Sequence, residues 1–359
     1  MKVGLVRRGF SATGGAEAYL KRFAEALLAA KHQCVLFTSS DWPQNAWPGD
    51  EFHYLKGRSP IEFADALETA EPKSKCDILF SLERVWSCDC YRAGDGVHRA
   101  WLDRRKAVEP VYKRVTRVFN RKHREILALE KRLFAAGGAK AVIANSAMVK
   151  HEIQRYYPYP TDKIHVIYNG LPATAEVSAE LRAQTRRELR LTEFDYVILF
   201  AGSGWERKGL KYAIEGIRRA NLSRPLLLVA GRGNPRKFRE SGRVRFLGPV
   251  KNMNAYFAAA DVFVLPTVYD PFSNACLEAI SAGLPVITTT ANGCSEILRP
   301  GVTGEVLDEP ADTEAIARAI ETWADPYRRA SVRPELQQLA REYTIEANVQ
   351  QTLKLLETL

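Results

Sequence analysis

The regular alternation of short apolar runs with helical patterns constrains the fold of this sequence more than any other feature. A short apolar run bounded by turn residues is typical of a strand buried on both faces, and such strands with helices between them predict a parallel sheet covered by helices. In the first half of the chain a helical pattern at 17–30 follows the first of these runs, which lie at 3–6, 35–38, 77–81, 141–144 and 165–167. In the second half they lie at 196–201, 226–230, 244–247, 262–265, 285–288 and 304–307. The sequence therefore predicts an α/β fold with two doubly wound sheets.

A break between the two series marks a domain junction. The segment 169–172 contains an Asn-Gly pair followed by a proline, and these turn residues interrupt both helices and strands. The length of 359 residues also indicates two domains, because single hydrophobic cores stop growing at roughly 250 to 300 residues. We expect one Rossmann-like domain at 1–168 and a second at 169–344, with a final helix at 345–359 that completes the first domain.

The composition is that of a soluble globular chain. Hydrophobic residues make up 46%, charged residues 26%, and the mean hydropathy is −0.25, which excludes disordered, collagen-like and coiled-coil classes. No apolar stretch approaches the roughly 20 residues that a membrane span needs. Arg7 and Arg8 stand where a signal peptide would have its apolar segment, so we expect a cytoplasmic protein.

The cysteines predict neither a disulfide framework nor a metal site. Six cysteines scattered over a chain of this size are too few for a disulfide scaffold. Only Cys88 and Cys90 are close together, and no second pair of cysteines or histidines stands at ligand spacing.

The first candidate binding loop contains Gly14 and Gly15, between the first strand and the first helix. Consecutive glycines let backbone N–H groups approach an anion, and the start of the following helix adds partial positive charge. A phosphate group fits such a loop. The alternative is an ordinary strand-to-helix turn, in which Glu17 only favours the helix start.

The second candidate loop, at 202–209, follows the first strand of the second series. It is rich in glycine and ends with the adjacent cations Arg207 and Lys208. Arg207 offers a planar fork and Lys208 a point charge, which together suit a diphosphate at the carboxyl end of a parallel strand. The alternative is a pair of solvated side chains.

The third candidate is the segment 269–287, in which Asp270 lies just before a predicted helix and Glu278 lies within it. Ser273 is a good helix N-cap, so that Asn274 and Ala275 would present free N–H groups between the two carboxylates. Because carboxylates accept hydrogen bonds from sugar hydroxyls, this arrangement suits a nucleotide-sugar. Alternatively, the two carboxylates only complement the helix dipole and form a surface pair.

These loops carry a family resemblance. The sequence is similar to the retaining glycosyltransferases of family 4, over almost the whole chain, in segments that follow one another in the family's order at 14–15, 169–170, 208–209, 246–248 and 269–287. The Gly-Ser-x-x-x-Arg-Lys-Gly version at 202–209 and the Ala-Gly-Asp-Gly stretch at 93–96 resemble the bacterial lipopolysaccharide-core glucosyltransferases.

The resemblance implies a GT-B architecture, in which two doubly wound domains face each other across a donor-binding cleft and the first domain lies on the acceptor side. It implies that Gly14 and Gly15 contact the diphosphate and donor sugar from the first domain. Arg207 and Lys208 would neutralise the diphosphate from the second. The resemblance implies no metal ion and no cofactor besides the nucleotide-sugar donor.

The resemblance also implies the contacts to the donor sugar. Asp270 and Glu278 fill the acidic positions of the family's Glu-x7-Glu motif, the first touching sugar hydroxyls and the second the ribose. His98 matches a first-domain histidine that contacts the donor sugar in many members, although a histidine with only a packing role remains the alternative. Further donor contacts would come from backbone amides of Phe272, Ser273 and Asn274.

Two positions depart from the family pattern. Asp270 stands where most members have Glu, one methylene longer, which bears on the identity of the donor sugar. Ser203 stands where many members have Arg, and Arg207 is available to supply that charge, as in the lipopolysaccharide-core branch.

A basic segment at 99–132 holds most of the net charge of +10, with twelve Lys or Arg against four Asp or Glu. Apolar residues at helical spacing predict an amphipathic helix here: Val111, Val115, Val118 and Phe119. Such a helix is a candidate for binding an anionic membrane surface, and the segment lacks the features of a nucleic-acid module. The alternative is a packed helix with a solvated basic face.

The leading hypothesis is a retaining glycosyltransferase at the inner face of the cytoplasmic membrane. It would move a hexose, with UDP-glucose as the expected donor, onto a lipopolysaccharide-core or other lipid-linked saccharide. One alternative is a nucleotide-sugar epimerase or phosphorylase on the same fold. Another is a non-catalytic basic module that binds membrane or nucleic acid.

Overall fold

The computed structural model describes residues 1–10, 15–49, 51–109, 120–135, 137–172, 177–238 and 242–359. The chain divides into two compact units. Unit 1 comprises Met1–Asn169 and Ile345–Leu359, and unit 2 comprises Gly170–Thr344. The division falls one residue beyond the junction expected from the turn residues, and the last helix returns to unit 1.

Unit 1 is built on a parallel sheet with the strand order β3-β2-β1-β4-β5-β6-β7. Its strands are β1 (Lys2–Arg7), β2 (Gln33–Thr38), β3 (Glu51–Tyr54), β4 (Ile78–Ser81), β5 (Cys88–Ala93), β6 (Ala139–Ala144) and β7 (Ile164–Val166). Its described helices are α1 (Gly15–Ala29), α2 (Pro60–Thr69), α3 (His98–Val108), α4 (Arg121–Phe134), α5 (Ala147–Tyr156) and the terminal helix, here α12 (Ile345–Leu356).

The core of unit 1 explains why the terminal helix belongs to it. Leu5 of β1, Phe23 of α1 and Phe80 of β4 have no exposed surface and form one apolar cluster. Val349 and Leu356 of α12 belong to the same cluster. Burying such side chains contributes roughly 1.5 to 3 kcal/mol each, so α12 is held to unit 1 by apolar packing.

Unit 2 is built on a second parallel sheet, with the strand order β10-β9-β8-β11-β12-β13. Its strands are β8 (Tyr196–Ala201), β9 (Pro225–Ala230), β10 (Val244–Gly248), β11 (Val262–Leu265), β12 (Val286–Thr289) and β13 (Gly304–Leu307). Its described helices are α6 (Ala179–Glu188), α7 (Leu210–Arg219), α8 (Met253–Ala259), α9 (Asn274–Ser281), α10 (Thr313–Thr322) and α11 (Pro326–Arg341).

Both sheets have a point at which the strand order reverses, between β1 and β4 in unit 1 and between β8 and β11 in unit 2. Open α/β sheets bind ligands outside the carboxyl ends of their strands at such a point. In unit 2 the loop at 202–209 follows β8 and the segment at 266–273 follows β11. The candidate residues of unit 2 therefore lie at the switch point of its sheet.

Two strands were not predicted from the sequence. β3 is short and partly exposed, which leaves no apolar run. β5 contains the buried polar residues Asp89 and Arg92 in the interior of the sheet. Asp89 accepts a hydrogen bond from Leu79 N at 2.8 Å and pairs with Lys140 at 2.8 Å, so its burial depends on contacts that are distant in sequence.

Cys88 and Cys90 are alternate buried residues of β5, and burial raises the pKa of both thiols.

Candidate active site

The loop after β8 depends on a glycine for its conformation, and it packs closely against the segment after β11. Gly209 precedes α7 with φ at +78°, a conformation that side chains other than glycine rarely adopt. A Cβ at this position would also collide with the carbonyl oxygen of Pro266. The loop can therefore approach the segment after β11 only with glycine at 209.

Arg207 joins these two segments through its backbone and its side chain. Its carbonyl oxygen accepts hydrogen bonds from Val268 N at 2.9 Å and from Thr267 Oγ1 at 3.0 Å. Its Nη1 donates to the carbonyl oxygen of Tyr269 at 3.0 Å, and the side chain is half-buried. The guanidinium is thus held at a defined place beside residue 270.

Lys208 and Asp270 form an ion pair between Nζ and Oδ2, and both side chains are largely buried, with 11% and 7% of their surface exposed. The main chain of Asp270 is fixed as well, because its N–H donates to Ala291 O and its carbonyl accepts from Gly293 N, each at 2.9 Å. The structure therefore brings together two residues to which the sequence interpretation gave different partners, a diphosphate and a sugar.

The start of α9 is fixed by a side chain that sequence reasoning missed. Ser273 Oγ accepts from Cys276 N at 3.4 Å, as expected of an N-cap, and Ser273 N donates to Asn292 Oδ1 at 3.1 Å. The same Asn292 oxygen accepts from Cys294 N at 3.1 Å, and its amide nitrogen donates to Thr288 Oγ1 at 2.9 Å. Asn292 is fully buried, so it holds the α9 start against the turn after β12. The Asn-Gly pair at 292–293 was the only local signal for it.

The other proposed donor residues of α9 differ in exposure. Phe272 is buried, so its side chain belongs to the core and only its backbone could meet a ligand. Asn274 and Glu278 are half-buried and four positions apart, which puts both on one face of the helix.

Trp205 is a second residue that sequence reasoning missed. It lies in the loop after β8 yet is 4% exposed, and its Nε1 donates to Gly202 O at 3.0 Å. Its ring packs on Phe238 and Phe246, with centroid distances of 5.8 and 5.2 Å. The indole thus anchors the loop that carries Arg207 and Lys208.

In unit 1, α1 begins at Gly15, and Gly14 lies outside the described residues. Glu17 in the first turn accepts from Arg7 Nη2 at 3.1 Å, and Arg7 Nη1 donates to Glu83 at 2.9 Å. Burial opposes the charge of Arg7, but Glu83, Asp95 and Glu17 outweigh it, so that the pKa of the guanidinium lies above its usual value. Glu17 therefore has an ionic partner in addition to its place at the helix start.

His98 is the first residue of α3 and is half-buried. Its Nε2 lies 3.0 Å from Nδ1 of His123, a residue of α4 that sequence reasoning did not select. Burial lowers the pKa of His98 to about 3, and the neighbouring charges of Arg84, His123 and Lys122 act in the same direction. The imidazole is therefore neutral near pH 7 and suited to hydrogen bonding rather than to carrying charge.

The basic segment is described only at its two ends, α3 and α4. Its centre lies outside the described residues, including Val111, Lys113, Arg114, Val115, Arg117, Val118 and Phe119. At the ends some of the charge is paired within the protein, as Arg104 contacts Glu152 at 3.1 Å and Arg121 contacts Glu125 at 2.6 Å.

Two further properties concern the described part of the chain as a whole. No helix there is both long enough and apolar enough to cross a membrane. Within the same residues, no group of three or more His, Cys, Asp or Glu side chains is arranged to hold a metal ion.

Family models match most of the chain. Residues 13–174 match the model described as glycosyltransferase family 4, and residues 195–325 match the model described as glycosyl transferases group 1. The first match covers most of the unit 1 segment that precedes the junction, and the second covers the strands and loops of the unit 2 site.

Similar proteins and structures agree with these models. A Burkholderia thailandensis protein named "probable transglycosylase" is 29% identical over 78% of this chain and 72% of its own. The lipopolysaccharide glucosyltransferase WaaG of Escherichia coli is 23% identical over 84% of each chain. The crystal structure of WaaG has a TM-score of 0.80 at 20% identity and covers 99% of both chains. The structure of Anabaena HepE in complex with UDP-glucose has a TM-score of 0.75 at 17% identity and covers both chains fully. The chain therefore belongs to the family 4 glycosyltransferases, and its two parallel-sheet units have the GT-B fold.

Proposed function

We propose that this protein is a retaining hexosyltransferase that moves glucose from UDP-glucose onto a lipopolysaccharide-core or other lipid-linked saccharide. The observation that carries the proposal is the grouping of Arg207, Lys208 and Asp270 at the switch point of the unit 2 sheet, beside the start of α9. Two cations and a helix N-terminus can bind a diphosphate, and a carboxylate can accept hydrogen bonds from sugar hydroxyls.

The cations act on the leaving group in this proposal. Negative charge grows on the diphosphate as the bond to the sugar breaks, so groups that meet this charge stabilise the transition state more than the bound donor. Arg207 has a fixed guanidinium, and the Lys208 ammonium has three N–H donors, enough to serve Asp270 and a phosphate oxygen together. The N–H groups at the start of α9 add partial positive charge.

The carboxylates act on the rest of the donor. We assign Asp270 to hydroxyl groups of the transferred sugar and Glu278 to the ribose, with backbone amides of Phe272 and Asn274 beside them. The Ser273 N–H, which the resemblance also gave to the donor, is instead engaged by Asn292 Oδ1. In unit 1, Gly14, Gly15 and His98 remain the proposed donor contacts. His98 would act as a neutral hydrogen-bonding group, in keeping with its lowered pKa.

Transfer with retention is proposed to proceed on one face of the sugar. The bond from the anomeric carbon to the phosphate oxygen breaks, the acceptor oxygen bonds to that carbon from the same side, and the acceptor proton moves to the departing phosphate oxygen. Such a step needs no side-chain nucleophile. It also needs no metal in this proposal, because Arg207 and Lys208 supply the positive charge.

The names of similar proteins support the choice of donor and acceptor. WaaG is named as a lipopolysaccharide glucosyltransferase, and HepE has been crystallised with UDP-glucose. We extend these properties to this chain as a proposal, together with a place on the inner face of the cytoplasmic membrane through the basic segment 99–132.

The proposal is tested by offering the purified protein UDP-, GDP- and ADP-hexoses with a lipopolysaccharide-core acceptor, in the presence and absence of EDTA. We expect transfer from UDP-glucose, with the product in the α configuration of the donor and no effect of EDTA. A product of inverted configuration would refute retention, and loss of transfer in EDTA would refute the metal-free mechanism. Conversion of the donor to another hexose without transfer would favour an epimerase.

A further inference from the structure

Glu130 of α4 is a buried carboxylate to which no role is yet assigned. Its side chain has no exposed surface and accepts four hydrogen bonds, two at each oxygen. Oε2 accepts from Arg84 Nε at 3.0 Å and from the backbone N–H of His98 at 2.7 Å. Oε1 accepts from the backbone N–H of Arg99 at 3.0 Å and from Tyr157 Oη at 2.8 Å.

Two of these bonds serve the start of α3, whose first residue is His98. A helix leaves its first N–H groups without partners, and a Ser, Thr, Asp or Asn at the N-cap usually accepts one of them. Here the N-cap is Val97, which is fully buried and has no such acceptor. Glu130, 32 positions along the chain from His98, supplies the missing cap. The start of α3 therefore depends on a side chain from another helix.

α4, the helix that contains Glu130, also holds the imidazole of His98. His123 lies two turns before Glu130 on α4, and its Nδ1 is 3.0 Å from His98 Nε2. α4 thus fixes His98 at its backbone through Glu130 and at its ring through His123. Arg84 balances the charge of Glu130 and reaches the carbonyl oxygen of Gly96 at 2.6 Å, which ties the turn before α3 to the same carboxylate.

We propose that Glu130 is a positioning residue of the active site, which holds His98 in place by capping α3. The inference rests on the proposed function in one respect, that His98 contacts the donor sugar. Glu130 itself is fully buried, so its role in this proposal involves no contact with a substrate. Its effect on the reaction passes through the position of His98, and a displacement of about 1 Å at such a group can reduce the rate roughly 100-fold.

The kinetic test compares Glu130→Gln with Glu152→Gln. Glu152 is also a buried carboxylate of unit 1 with an arginine partner, Arg104, which lies on α3 six positions after His98. We expect Glu130→Gln to lower kcat by about 10- to 100-fold with little change in the KM for the donor. We expect Glu152→Gln to lower the unfolding temperature and leave kcat within about twofold. Equal losses of kcat and stability in both variants would overturn the proposal.

A double variant separates this inference from the proposed role of His98. If Glu130 acts through His98, Glu130→Gln should cause little further loss of kcat in a His98→Ala background. A full additional loss there would refute positioning through His98. If His98→Ala alone keeps full activity, the proposed donor contact is wrong.

The NMR signals of the His98 imidazole test the positioning claim without activity. They should shift in Glu130→Gln and stay unchanged in Glu152→Gln. Unshifted signals in Glu130→Gln would refute the claim. Should Glu130→Gln fail to fold, Glu130→Asp keeps the charge with a shorter reach, and its His98 signals answer the same question.

Discussion

Lys208 and Asp270 neutralise each other in a largely buried ion pair that links the loop after β8 to the segment after β11. Removing one partner of a buried pair leaves an uncompensated charge and costs about 3 to 5 kcal/mol. The pair therefore has two effects, since it fixes the two loops relative to each other and sets a cation and a carboxylate side by side at the switch point.

Arg207→Ala and Lys208→Ala should each lower kcat by about 10² to 10³, because both side chains are proposed to meet charge that grows on the leaving diphosphate. Lys208→Ala should also lower the unfolding temperature, because it leaves Asp270 buried without its partner. Steady-state kinetics and thermal unfolding measure the two effects separately. Lys237→Ala, which removes an exposed pair with Glu206, is the control and should change neither. Near-normal turnover in both site variants would exclude them from the site.

Asp270→Glu should change the preference among donor sugars while keeping the bond to Lys208. The carboxylate is assigned to sugar hydroxyls, and an added methylene displaces it in a site where the backbone of residue 270 is fixed. The measurement is kcat/KM for a panel of UDP-hexoses. An unchanged ranking of donors would show that residue 270 does not contact the sugar.

Glu278→Gln should weaken every donor of the panel to a similar extent, because the ribose is common to all of them. Loss of a charged hydrogen bond of about 1.5 to 3 kcal/mol corresponds to roughly 10- to 100-fold in affinity. Calorimetric titration with UDP, which lacks the hexose, measures this directly. Glu215→Gln on α7, a carboxylate paired with Arg218 and Arg219, provides the matched control. If Glu278→Gln binds UDP with wild-type affinity, the Glu278 carboxylate does not contact the ribose.

The fold was largely predictable because most of its strands are apolar runs. β1, β8 and β11 are buried on both faces, and short apolar runs bounded by turn residues are typical of such strands. β5 escaped prediction because Asp89 and Arg92 are polar. Their burial is possible only with partners such as Lys140 and Asn169, which the fold brings from elsewhere in the chain.

The residues of the candidate site also fall into those that the sequence predicts and those that it does not. The glycines, cations and helix cap at 202–209 and 273 are local patterns, so the sequence was sufficient to select them. Asn292, His123 and Glu130 act on residues that lie 19, 25 and 32 positions away, and no spacing rule connects such pairs. Only the packing of the sheets and helices within each unit brings these supporting side chains to the residues that they hold.

The pH dependence of stability should carry the signature of His98. Its pKa falls from the usual 6.5 to about 3 in the folded protein, so the unfolded chain binds more protons below pH 6.5. The part of the unfolding free energy that depends on a neutral His98 is fully present above pH 6.5, and it is lost as the pH falls toward 3. At pH 5.5 the loss is about 1 kcal/mol, after allowance for the partial exposure of the ring. His98→Gln should remove this pH dependence. The difference in unfolding free energy between the wild type and His98→Gln should therefore change between pH 7.5 and 5.5. A constant difference over this range would show that His98 is protonated as easily in the fold as outside it.

Membrane binding through the basic segment should require anionic lipid and low salt. Each Lys or Arg near an anionic surface contributes about 1 kcal/mol, and the screening length falls from about 10 Å at 0.1 M salt to about 3 Å at 1 M. Sedimentation with phosphatidylglycerol vesicles should therefore be strong at 0.1 M salt and weak at 1 M, and absent with neutral vesicles.

A charge-reversed variant locates this binding in the chain. Binding should be abolished by changing four cations of the segment to Glu: Lys113, Arg114, Arg117 and Arg121. Membrane binding should be retained in a control variant in which four exposed cations of unit 2 are changed to Glu: Arg187, Arg190, Lys211 and Arg218. The first variant should still act on a soluble acceptor fragment, because the proposed donor contacts are other residues. Equal sedimentation of the wild type with neutral and anionic vesicles, or equal loss in both variants, would show that the segment does not direct the protein to a membrane.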